Sequence, residues 1–311
     1  MRPWWLLALA ICAGPAAAQY PARPIEVIVP ISAGGGMDQQ ARLLAELAEP
    51  DLQQKLVILN RPGAGGTIGV ARLTQSAPDG YTIGAVWNGP LTGSVHLQPV
   101  PYGLDDYVPV IQFSKAPFVL CVAPDFPANS AAELIEKIRQ NPDEYTYGHE
   151  GVGGILHLGA ERILNSLGLK VRAIPFPGAS ETARNFAGGH ITIYAGGIAS
   201  IKGMADTGQA KCLLLTSAAR NPVFPQASGL ADLGVANAET VFWRAIIAPK
   251  GTSPEVVSKL AAAFRAAAES PRFQEFLAGL GEAGSALSGA ALRQAIRREH
   301  DELGALAKAA K

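Results

Sequence analysis

Ile25-Glu26-Val27-Ile28-Val29-Pro30-Ile31-Ser32-Ala33-Gly34-Gly35-Gly36-Met37-Asp38-Gln39-Gln40-Ala41-Arg42 is the stretch from which the fold is read. An apolar, β-branched run suits a buried strand. It leads into three consecutive glycines, and a helical pattern starts at once with Asp38 in the first turn. A helix N-terminus presents unpaired backbone N–H groups and about half a positive charge. Glycines there let a ligand approach the backbone closely. The corner is therefore suited to a carboxylate or a phosphate.

Working outward, further strand-like runs lie at 55–59, 82–86, 108–113, 118–123, 145–147, 171–175, 191–194, 211–216 and 240–248. Helical patterns fall between them at 38–47, 68–76, 131–141, 156–167 and 181–187, then at 254–269, 271–279 and 289–308. Ser253-Pro254 supplies an N-cap followed by proline at the first helical position. Strands alternating with helices predict an α/β fold with mostly parallel sheets. The run 118–124 reads as a strand leaving a first lobe, and 240–249 as its return. One lobe would then comprise 19–124 and 239–311, with 125–238 inserted as a second lobe and a ligand cleft between them.

The N-terminus carries Arg2, an apolar stretch from Trp4 to Cys12, and Ala16-Ala17-Ala18. This order predicts a secretory leader cleaved after Ala18 and a periplasmic protein. The apolar part falls short of the ~20 residues that a membrane-spanning helix needs. Ile11 before Cys12 argues against lipidation. With 26 basic and 26 acidic residues the formal net charge is zero, which argues against nucleic acid or an anionic membrane surface as a partner. Beyond the leader, Cys121 and Cys212 each sit in an apolar run and read as buried free thiols, although an oxidising compartment permits a bridge.

Three more loops are placed to face the cleft. Trp87-Asn88-Gly89-Pro90-Leu91-Thr92-Gly93 follows one strand. His149-Glu150-Gly151-Val152-Gly153-Gly154 runs into the helix that carries His157, and Pro175-Phe176-Pro177-Gly178-Ala179-Ser180 precedes another helix. The second repeats the strand–glycine–helix arrangement of the first corner. Each of these loops also reads simply as a turn, and His157, between Leu156 and Leu158, reads first as a packed structural histidine. Trp243 either packs a hinge or walls the cleft.

These motifs, in this order, resemble the periplasmic solute-binding proteins of the tripartite tricarboxylate transporter system, the Bug-type family. The resemblance is carried by Tyr20-Pro21-Ala22-Arg23-Pro24-Ile25, Gly34-Gly35-Gly36-Met37-Asp38, Asn60-Arg61-Pro62-Gly63-Ala64-Gly65-Gly66 and Ala77-Pro78-Asp79-Gly80-Tyr81-Thr82. Farther along, it continues in Gly188-Gly189-His190, Thr216-Ser217-Ala218-Ala219-Arg220 and Ala248-Pro249-Lys250-Gly251-Thr252. It implies a two-lobed, type II-like binding protein that is a monomer without cofactor or metal. Such a protein captures a small organic carboxylate and meets membrane transporter subunits transiently. The expected ligand contacts are Ser32, Ala33, Gly34, Gly35, Met37 and Asp38 in the first corner, with Trp87, Asn88 and Gly89 beside them. In the second lobe they are Gly153, Gly154, His157, Ala179, Ser180 and Gly196.

Two departures qualify the ligand. Met37 stands where the family usually has a hydroxyl residue, and the second-lobe loop is poor in hydroxyls. Met37 and Trp87 favour an apolar or aromatic body on a monocarboxylate rather than citrate. A sensor delivering the same solute to a membrane receptor is the alternative. A dinucleotide-dependent enzyme is a weaker one, because Gly34-Gly35-Gly36 lacks the Gly-x-Gly-x-x-Gly spacing and no nucleophile elbow or metal motif occurs.

Overall fold

The computed structural model describes residues 20–34, 36–149, 155–176 and 179–309. The expected leader, Gly35, Gly153 and Gly154 lie outside the described residues.

In chain order the first elements are β1 (Ile25–Val29), α1 (Gly36–Leu52), β2 (Leu56–Asn60), α2 (Thr67–Thr74), β3 (Thr82–Trp87) and β4 (Tyr107–Val122). Then come α3 (Ala131–Gln140), β5 (Thr146–His149), α4 (Ile155–Ser166), β6 (Arg172–Pro175), α5 (Ala179–Ala187), β7 (Ile193–Gly197), α6 (Ile198–Asp206) and β8 (Lys211–Leu215). The chain closes with β9 (Val241–Pro249), α7 (Pro254–Glu269), α8 (Pro271–Gly279), β10 (Ala283–Gly284) and α9 (Gly289–Ala309). The strands form a curled mixed sheet in the order β2-β1-β3-β9-β4-β7-β5-β6, with β8 and β10 also paired to β4.

Within each lobe the pairs β1–β2, β1–β3, β5–β6 and β5–β7 are parallel, as helical crossovers require. β9 and β4 run antiparallel to each other and to β3, β7 and β8, and they join the lobes. β4 is one strand of 16 residues where the sequence suggested two. Its register shifts at Pro109/Ile111 and Gln112/Ser114, and these bulges bend it without breaking it. Helix α6 was not foreseen from the sequence.

Alternation along β1 sends Val27 and Val29 to one face, against Leu44 of α1 and Phe264 of α7. Ile28 goes to the other face with Val70 and Leu292. The second lobe has the same layering: Leu120, Val122 and Tyr147 lie under Ile163, while Val119 and Tyr194 lie under Phe186 and Ile201. A smaller cluster of Phe118, Leu158 and Leu303 packs α4 of one lobe against α9 of the other.

Cys121 and Cys212 form a disulfide, which corrects the reading as free thiols. Cys121 on β4 and Cys212 on β8 are register partners, with Cα atoms 3.9 Å apart. That adjacency arises only once the strands pair, and a separation of 91 residues hides it in the sequence.

Candidate functional site

The glycine corner is held shut from inside by Asp38. Its Oδ2 accepts from the Gly34 backbone N–H at 2.9 Å and from Arg42 Nε at 2.9 Å, and its Oδ1 accepts from Asn60 Nδ2 at 2.8 Å. Asn60 at the end of β2 also donates to the Ile31 carbonyl, and its own oxygen accepts from Arg42. Burial opposes the charge of Asp38, yet the hydrogen bonds from Arg42, Gly34 and Asn60 hold its carboxyl below the usual carboxylate range. Gly34 has φ +88°, in the left-handed region that favours glycine. Ser32, Ala33 and Gly34 stay exposed while Asp38 is turned inward. Met37 is likewise directed into the first-lobe core, alongside Ala41 and Leu44. Asn60 ties the start of the glycine-rich turn after β2, while Arg61 beside it is exposed and makes no ion pair among the described residues.

Trp87 ends β3 and lines a cleft of 460 Å³ between the lobes. Its indole is confined by two glycines: a Cβ on Gly66 would fall 2.5 Å from its ring and one on Gly89 would fall 2.5 Å from its Nε1. The glycine-rich turn after β2 and the loop after β3 therefore make one slot that fixes this side chain. Opposite walls come from Phe118, Ile155, Leu156 and Ile198, and from Phe242 of β9, whose ring stacks with Trp87 at 6.5 Å. Gly89 and Gly197 lie in the cleft lining, and Gly196 is buried beside Gly197 on β7.

One ion pair interrupts this apolar surface. Strand register sets Arg244 of β9 beside Ser114 of β4, and Ser114 also pairs with Gly284, two residues after Glu282. Arg244 Nη1 donates to Glu282 Oε2 and, at 3.3 Å, to Ser114 Oγ. Gln40 of α1 completes the group, donating to Glu282 and accepting from Ser114, each at 2.9 Å. Burial lowers the Arg244 pKa, and the Glu282 carboxylate opposes that shift. Arg244 lies over the Phe242 ring at 4.7 Å, a cation–π arrangement.

Asn88 turns away from the cleft. It donates to the Val241 carbonyl and to Glu299 Oε1 of α9, which also accepts from Thr92. Trp243 Nε1 donates to Glu299 Oε2 at 2.6 Å, so Trp243 packs β9 against α9 and is not in the lining of the cleft. Burial raises the Glu299 pKa, with Trp243, Thr92 and Asn88 opposing the shift. His157 is half-buried and stacks on His149 at 4.3 Å. Ala179 and Ser180 open α5.

Known proteins share this architecture. The profile of the "Tripartite tricarboxylate transporter family receptor" (TctC) matches residues 40–311. The chain belongs to this family. TctC proteins are periplasmic solute-binding proteins, and among the described residues no helix is long and apolar enough to cross a membrane. A UPF0065 protein of Bordetella pertussis is 35% identical over 285 residues, covering 89% of this chain and 88% of its own. Protein BugT of the same organism is 33% identical over 255 residues, 81% of this chain and 78% of its own. Among solved structures, a TctC solute binding protein from Polaromonas has a TM-score of 0.83 at 29% identity, covering 93% of this chain and 99% of its own. An R. palustris protein solved with adipate has a TM-score of 0.75 at 28% identity, covering 93% and 97%.

Sequence reasoning picked out Trp87 and Gly89 in the cleft of this TctC protein but missed Phe118, Phe242, Arg244, Glu282, Gln40 and Ser114. One signal for Arg244 was present: a lone charge inside the apolar run 240–248 has to find a partner once that strand is buried.

Proposed function

We propose that the protein captures a small organic carboxylate with an apolar, including aromatic, body and delivers it to the membrane subunits of a tripartite tricarboxylate-type transporter. The observation that carries this reading is the cleft: Trp87, Phe118 and Phe242 line it with aromatic surface, and Glu282 in its lining is hydrogen-bonded by Gln40 from the first turns of α1. In this reading the carboxylate meets backbone N–H groups at the start of α1 other than that of Gly34, which Asp38 already holds, and the helix dipole favours an anion there without a nearby free cation. Aromatic walls take the body of the ligand, where directional contacts are few and area burial dominates. Adipate, found with the R. palustris relative, carries a carboxylate at each end of an apolar chain. The lobes are residues 19–124 with 239–311, and 125–238. They close on a ligand that touches both, and β4 and β9 are the strands they share. The leader is removed after Ala18 on export.

A thermal-shift screen of the mature protein tests this. Monocarboxylates with aromatic or long apolar bodies are expected to raise the melting temperature most. Stabilisation by citrate-like acids with no response to aromatic acids would overturn the reading.

A further inference from the structure

We propose that the Arg244–Glu282 pair reads a second polar group on the ligand and selects an uncharged group that both donates and accepts hydrogen bonds, such as a carboxamide, over a second carboxylate. This rests on the carboxylate-binding reading above and adds the chemical class of the ligand's other substituent.

The pair lines the cleft and is almost wholly buried, with side-chain exposures of 9% for Arg244 and 11% for Glu282. Its hydrogen-bonding capacity is only partly used inside the protein. Arg244 Nη1 is engaged by Glu282 and Ser114, whereas Nη2 makes no hydrogen bond among the described residues and, unlike the unpartnered Nε, is not sealed from solvent. Glu282 Oε2 accepts from Arg244 and Gln40, whereas Oε1 takes no hydrogen bond among the described residues. An unused donor and an unused acceptor thus belong to two side chains that touch.

The charges decide which group fits. The pair is neutral as a unit, so a second carboxylate gains from Arg244, meets repulsion from Glu282, and gives up its hydration in a mostly apolar cleft. A carboxamide brings a carbonyl for the guanidinium and an N–H for the carboxylate, and carries no charge to desolvate. A purely apolar substituent leaves both groups unpaired.

Isothermal titration of the mature protein with 4-carbamoylbenzoate, terephthalate and 4-methylbenzoate tests the order. The carbamoyl acid is expected to bind about tenfold more tightly than either of the others. In Glu282→Gln the pair becomes cationic, and terephthalate is expected to gain about tenfold and overtake the carbamoyl acid. Should Glu282→Gln fail to fold, the double variant Arg244→Met/Glu282→Gln removes both charges and is expected to erase the carbamoyl preference. Terephthalate binding the wild type as well as the carbamoyl acid overturns the inference, as does an unchanged order in the variants, while leaving the carboxylate reading intact. If none of the three acids binds, the carboxylate reading fails and this inference falls with it.

Discussion

Replacing Asp38 with alanine is expected to loosen the glycine corner and lower the stability of the whole protein. Three donors lose their acceptor: the Gly34 N–H, Asn60 Nδ2 and Arg42 Nε. Hydrogen bonds to a charged group contribute about 1.5–3 kcal/mol each when buried. The Arg42 side chain is 50% exposed, so its share falls to about 0.2–1 kcal/mol. Relief from burying the carboxylate offsets part of the loss, leaving a net cost of about 2–4 kcal/mol. Asp38→Asn keeps the shape and one acceptor, so about half that cost is expected. Urea unfolding at neutral pH, followed by circular dichroism, reads both values. The sign with pH is fixed as well. A carboxyl whose folded pKa is depressed stabilises the protein above its unfolded value, about 3.9 for aspartate, and that stability fades as pH falls through the lower folded value. The gap between wild type and Asp38→Ala should therefore narrow across that acid window. A loss below about 0.5 kcal/mol, or a gap that widens on acidification, refutes the view that Asp38 is the internal tie of the corner.

Other perturbations have equally definite outcomes. Gly89→Ala places a methyl group 2.5 Å from Trp87 Nε1 and is expected to cost about 1–3 kcal/mol while shifting tryptophan emission; an unchanged spectrum would show that the slot does not hold the indole. Reducing the Cys121–Cys212 bridge, or replacing both residues with serine, is expected to cost about 2–4 kcal/mol, and identical melts with and without reductant would contradict this. Glu299→Ala leaves Trp243, Thr92 and Asn88 without their shared acceptor, for an expected loss of about 2–4 kcal/mol in urea unfolding. Because burial raises the Glu299 pKa, the wild type should lose stability as pH rises from about 4.3 through the raised value; Glu299→Gln should be flatter there, and equal slopes would count against it.

Where local chemistry decided the structure, the sequence was readable. α7 and α8 begin and end where their periodicity and the Ser-Pro starts at 253–254 and 270–271 place them. β1 is flanked on both sides by β2 and β3, so its apolar run, interrupted only by the exposed Glu26, was a sound sign of burial. β4 was harder, because Pro117 and the exposed Lys115, between the runs 108–113 and 118–123, read as an interruption in a strand that bends between lobes. The cleft was legible only in outline. Trp87 and Gly89 adjoin a visible turn, but Gln40, Ser114, Arg244 and Glu282 meet through strand register and helix packing, and no spacing along the chain records it.

The position of β9 bears on how this chain acquires its structure in time. β3 hydrogen-bonds to β9 and not to β4, which follows it in the chain, so the β2-β1-β3 sheet gains its connection to the rest only when residues 241–249 arrive. In a chain emerging from a translocon N-terminus first, the early strands would hold an open, apolar edge until about four-fifths of the polypeptide has passed. Long-range pairing of this kind makes folding slow relative to local helix formation. A version ending at residue 240 is expected to be cleaved readily by protease within β1–β3, whereas the full chain is resistant there. The last quarter of the sequence thus acts as the trigger that commits the first quarter to its native form.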